Sequence, residues 1–180
     1  MKNIFSLLFG LFLLFVVAGC GYKPTANIAK QTMGEKIFID VKIDILNLTN
    51  SILIKDSLIN MISSKLNAKI VHERSFADTI IYGELQNVSE VAMDSDLSGY
   101  TKIYRENVTV FISYTGKDKQ TRSFTVSNYY DFIISTDSVI TQSKREEAIK
   151  LAINKALADV FSKIAIQTYK VNNIDQNVSK

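Results

Sequence analysis

One cysteine, one proline, one histidine and no tryptophan stand among the 180 residues of this chain. A single cysteine, Cys20, excludes an internal disulfide framework. A single histidine, His72, with no second cysteine leaves no Cys/His set for zinc. No G-x-S-x-G stretch offers a nucleophile elbow, and no G-x-x-x-x-G-K stretch offers a phosphate loop. Charge of one sign is also lacking: 21 Lys and Arg against 18 Asp and Glu give a net +3. That balance is too even for a nucleic-acid-binding protein, which needs a concentrated basic face. These absences argue against an enzyme, a metal protein and a cofactor protein alike.

What is present begins at the first residues, MKNIFSLLFGLFLLFVVAGCGYKP. The apolar run Ile4 to Val17 is too short to span a bilayer, which takes about 20 residues. Lys2 precedes it and small Ala18 and Gly19 follow, the layout of a secretory signal. Val17-Ala18-Gly19-Cys20 resembles a bacterial lipobox. On that resemblance residues 1–19 are cleaved and Cys20 becomes the terminus, carrying an S-diacylglycerol and an N-acyl group. Acylation also explains an odd cysteine in a secreted chain, and several acyl chains hold a membrane firmly where one does not. Gly21 in place of Asp favours sorting to the outer membrane. Residues 20–36, with the lone Pro24, read as a tether reaching up to roughly 50 Å.

From residue 37 the pattern becomes periodic. IFIDVKIDIL sets Ile37, Ile39, Val41, Ile43 and Ile45 on one side and Asp40, Lys42 and Asp44 on the other, a half-buried strand. Ile54, Leu58, Met61, Ile62 and Leu66 then recur at helical spacing, with Asn50 or Ser51 as the cap. AKIVHE is a short apolar piece, and TIIYGELQNVSEVAM a further strand. The best-defined hairpin follows, with Tyr104, Val108, Val110, Ile112 and Tyr114 on one face of its first strand. Phe124, Val126, Tyr130, Phe132 and Ile134 match them on the second. The last element carries a stripe of Ile149, Ile153, Ala156, Leu157, Val160, Phe161 and Ile164 and a capping box of Ser143 and Glu146. Residues 168–180 read as a polar, loose tail. One greasy stripe per helix and one greasy face per strand predict a single α+β domain over 37–167. It is a two-layer sandwich, two helices on one face of a mixed sheet of about four strands in the order β-α-β-β-β-α. The opposite sheet face is more polar but carries Phe111, Tyr129 and Ile133, a candidate partner surface.

Three constellations merit weighing as chemistry. His72, beside Glu73 and with Asp78 nearby, lacks a companion nucleophile, so it reads as a solvated residue at a strand end. Asp94-Ser95-Asp96-Leu97-Ser98-Gly99 copies half a calcium loop, but the closing position that needs Glu holds Arg105. Lys102, Arg105, Lys117, Lys119 and Arg122 cluster around the hairpin. Two readings fit them: contacts to the phosphates of a lipid A-like ligand, or a hairpin kept soluble by charge.

The lipobox ending GCGYKP, the early strand, the helix NSILIKDSLINMISSKLN, the stretch AD-x-x-I-Y-G-E-L at 77–85, two long strands and a closing amphipathic helix together resemble the lipopolysaccharide-assembly lipoprotein family, LptE. The resemblance implies two helices against a four-stranded sheet, and no catalytic residues come with it. It implies a lipid-anchored protein on the periplasmic side of the outer membrane, inside the lumen of the β-barrel LptD. There it would act as plug and assembly aid, and would contact lipopolysaccharide or lipooligosaccharide during export. A barrel lumen is polar, which suits a nearly neutral domain. Two other readings remain: a lipid-anchored activator of a peptidoglycan synthase, which the short tether disfavours, and a lipid-anchored periplasmic hydrolase, which the missing site disfavours.

Overall fold

A computed structural model describes residues 32–95, 101–134 and 140–178. Residues 1–19, expected from the sequence to be a signal segment, Cys20 and most of the expected tether lie outside the described residues, as do Asp96–Gly99 of the calcium-like loop and the side chain of Lys102. The elements are β1 (Lys36–Val41), α1 (Leu48–Met61), β2 (Lys69–Val71), β3 (Thr79–Ser95), β4 (Thr101–Thr115), β5 (Thr121–Ile133) and α2 (Gln142–Val178). A π-helical turn, Ile62–Leu66, extends α1, and Asn67 stops it in the left-handed region at φ 49°.

The sheet has five strands in the order β2-β1-β3-β4-β5. The fifth is the short apolar piece AKIVHE, whose β2 lies parallel to β1. β1 is also parallel to β3, and β3, β4 and β5 run antiparallel. The fold is therefore the two-layer α+β arrangement that the patterning predicts. Ile54, Leu58, Ile62 and Leu66 of the first helix and Ile149, Ile153, Ala156, Leu157, Val160 and Ile164 of the second share one core. Ile37, Ile39, Ile81, Val108, Val110, Ile112 and Tyr114 meet them from the sheet. Gly83 lets the layers close up: a Cβ there would sit 2.7 Å from Leu58 Cδ1.

The structure departs from the sequence reading in five places. β1 ends at Val41, not Leu46, because Asp44 closes a turn of its own. Its carboxylate accepts Leu46 N–H at 3.0 Å and Asn47 Nδ2 at 3.2 Å, and Ser51 Oγ accepts Asp44 N–H at 2.9 Å. Short polar side chains compete with a strand ladder in this way. Ser51 is thereby used up and buried, and α1 starts at Leu48 after Asn47, which makes no side-chain cap. At α2 the cap is Thr141, whose Oγ1 accepts Lys144 N–H at 3.3 Å, not Ser143. The helix then runs on to Val178, past Gln167, since no proline or glycine follows to break it. Finally, Met33, in the stretch read as tether, is fully buried, and Thr32 O accepts Lys117 N–H at 3.4 Å.

Candidate interaction surfaces

The basic residues of the hairpin separate into two groups. Arg105 faces Asp131 across β4 and β5, and the Tyr114–Arg122 pair lies nine ladder positions away, roughly 30 Å along the strand. Arg105 Nε and Nη2 grip the Asp131 carboxylate at 2.6 and 2.7 Å, and the guanidinium lies 3.7 Å from the Tyr129 ring centre. That hydrogen-bonded pairing raises the Arg105 pKa and lowers that of Asp131. Arg122 holds Asp118 through Nη1 at 3.2 Å and Nη2 at 2.5 Å, and reaches Gln120 as well. Lys117 and Lys119 sit at the tip, Lys119 in the left-handed region at φ 61°. The Lys117 stem covers Gly34, and its charge helps hold the Asp78 carboxyl below its ordinary range. The larger cause there is the pair of bonds from Lys36 and Glu35 N–H, each 2.9 Å.

His72 is exposed in the turn after β2, and Asp78 is occupied by those two amides, so the structure builds no acid–base chain around the histidine. Arg105, at the closing position of the calcium-like loop, is committed to Asp131. Among the described residues no three His, Cys, Asp or Glu gather as metal ligands, and no helix is long and apolar enough to cross a membrane.

Three features escape the sequence reading. The first is Glu106, on the core face of β4 and only 2% exposed. It stands directly opposite Glu90 of β3, while Arg145 of α2 reaches Glu90 at 2.9 Å. Burial, then the hydrogen bond and charge of Glu90, push the Glu106 carboxyl up to about 7, against the pull of Arg145. Strict period two between Tyr104 and Val108 would have placed it there. The second is Lys155 of α2, whose Nζ donates to Tyr129 O at 3.1 Å and lies 5.2 Å from the Tyr130 ring centre. Nothing in the helical stripe marks it.

The third is an apolar loop. Ile43, Ile45, Leu46, Leu48 and Ile52 are 54–91% exposed beside a cavity of ≈400 Å³ between Lys42–Leu46, the start of α1 and Glu84–Gln86. The uncovered sheet face adds Tyr129 and Ile133, also exposed, and a Tyr82–Phe111 edge-to-face pair at 6.4 Å. Exposed apolar patches of this kind mark surfaces that meet a protein, a membrane or a ligand.

The profile of the lipopolysaccharide-assembly family LptE matches residues 41–164. Among solved structures, the rare lipoprotein B from Shewanella oneidensis is similar at 12% identity and TM-score 0.46, covering 79% of this chain and 99% of that one. An uncharacterized lipoprotein B from Nitrosomonas europaea is similar at 13% identity and TM-score 0.47, covering 75% of this chain and 84% of that one. No curated protein sequence matches. With the family profile spanning more than half of its length, the chain belongs to the LptE lipopolysaccharide-assembly family.

Proposed function

We propose that this protein is a non-enzymatic outer-membrane lipoprotein that plugs the lipopolysaccharide-export barrel LptD, assists its assembly and takes part in moving lipopolysaccharide to the cell surface. The observation that carries this reading is the family match over residues 41–164. Three features support it. The lipobox provides an anchor at Cys20 on the periplasmic side. The open sheet presents a face that neither helix covers, polar along much of its length, as a water-filled lumen requires. The tip of the β4–β5 hairpin, with Lys117 and Lys119, offers cations to lipopolysaccharide phosphates, whereas Arg105 and Arg122 are held by their own carboxylates. Lys102 stays in the candidate set.

Purification of the native chain in mild detergent tests the reading. Recovery of a large β-barrel in roughly equal amount is the expected result; recovery of a peptidoglycan synthase in its place overturns it. A Cys20→Ala chain should lack acyl groups by mass spectrometry.

A further inference from the structure

Beyond Val41 the chain leaves the sheet, although its sequence and its neighbours are laid out for it to stay. β1 and β3 keep parallel register from Ile37 opposite Thr79 to Val41 opposite Gly83. The next step is already half made: Lys42 N–H donates to Gly83 O at 2.9 Å, and Lys42 Nζ meets Glu84 Oε1 at 2.7 Å. Two more residues in the same register would set Ile43 beside Leu85 and Asp44 beside Gln86. Alternation would then send Ile43 to the core face after Ile37, Ile39 and Val41. The space it would enter is the ≈400 Å³ cavity lined by Ser51, Ile54 and Leu85. Ile43 instead stands 67% exposed, held out by the Asp44 turn and its bond to Ser51.

We propose that residues 42–46 are a strap with two seats. The open seat is the Asp44 turn; in the closed seat β1 extends through Asp44 and Ile43 fills the cavity between α1 and β3. Closing leaves Ile45, Leu46 and Asn47 as the link to α1, a length ordinary for a strand-to-helix connection. The irregularity of β3 between Leu85 and Asn87, seen in its ladder with β4, lies just beyond the Ile43–Leu85 step. The exchange is balanced because closing removes one isoleucine from water and adds ladder bonds, while opening keeps the bonds made by Asp44 and Ser51. The strap thus sets how much apolar surface, from Ile43 through Ile52, this end of the sheet presents.

Cysteine pairs in the full chain test the proposal, with intrachain disulfides identified by peptide mass spectrometry after mild oxidation. Neighbouring strands stand about 4.8 Å apart, within disulfide reach. An Ile43→Cys/Leu85→Cys chain should cross-link, and adding Asp44→Ala should raise the rate at least about threefold by removing the open seat. An Ile45→Cys/Leu85→Cys chain, whose cysteines the closed seat leaves unpaired, should show no such acceleration. Thr115→Cys/Thr121→Cys, paired whichever seat is filled, reports an intact hairpin and an active oxidant. Ser51→Ala removes the acceptor for Asp44 N–H and replaces Asp44→Ala if that change unfolds the chain. An unchanged 43–85 rate with the reference pair formed, or equal acceleration of the Ile45 pair, overturns the strap.

Discussion

Neutralising Glu106 should remove a pH dependence that the core itself creates. Two carboxylates, Glu90 and Glu106, face each other on adjacent strands with one guanidinium, Arg145, to balance them. Glu106 is 2% exposed, and its carboxyl is raised from 4.5 to about 7 by burial first and by Glu90 second. A raised carboxyl means that the folded chain holds this proton more tightly than the unfolded one does. The stability it brings is therefore complete below pH 4.5 and is lost as pH rises through about 7. At 1.36 kcal/mol per unit, the full loss is about 3 kcal/mol. Glu106→Gln keeps a donor toward Glu90 without a charge. Urea unfolding at pH 5, 6, 7 and 8 is the assay. The wild-type chain should lose most of that amount relative to Glu106→Gln across the series, and the variant should be the more stable of the two at pH 8. Asp44, Asp78, Asp118 and Asp131, with carboxyls lowered from 3.8, favour the fold above that value and lose their contribution only in more acid solution. They leave this window clear. Equal slopes for the two chains between pH 5 and 8 would refute the reasoning.

Other substitutions probe separate parts of the molecule. Leu157→Ala, at a fully buried site shared by both layers, should cost about 2–5 kcal/mol by denaturant titration, because the rigid sheet behind it cannot collapse into the cavity. Gly34→Ala should cost about 2 kcal/mol or more in the same assay. Its φ of +79° is unfavourable for a side chain, and the new methyl would meet Lys117 Cε at 2.5 Å and Asp78 Cβ at 2.6 Å. Asp78→Ala strips Glu35 and Lys36 N–H of a shared acceptor and should lower stability by about 1–2 kcal/mol at pH 7, with hydrogen exchange rising at both amides. Asp131→Ala, by contrast, breaks an exposed pair and should shift the melting temperature by only a degree or two.

Most of the architecture was legible because burial here follows simple periods. Ile149 through Ile164 recur at 3.6, Val108 to Tyr114 at 2, and each set lies in the core as its period demands. What stayed hidden depends on partners distant in sequence or on short side chains that override a pattern. The alternation of β1 runs unbroken to Ile45, and only the reach of Asp44 to Leu46 and Asn47 ends the strand early. The basic cluster looked continuous because its members lie within about twenty positions of one another. A strand advances about 3.3 Å per residue, so Arg105 and the tip lysines stand at opposite ends of the hairpin. Glu106 shows where pattern reading stops. The period of β4 assigns it to the core, yet a lone charge there is so costly that composition argues for the opposite face. The conflict resolves only when strand pairing brings Glu90 alongside and helix packing brings Arg145 above, two placements that lie 16 and 39 positions away in the chain. A period can say which way a side chain points; whether a charge can remain there depends on what the fold carries to meet it.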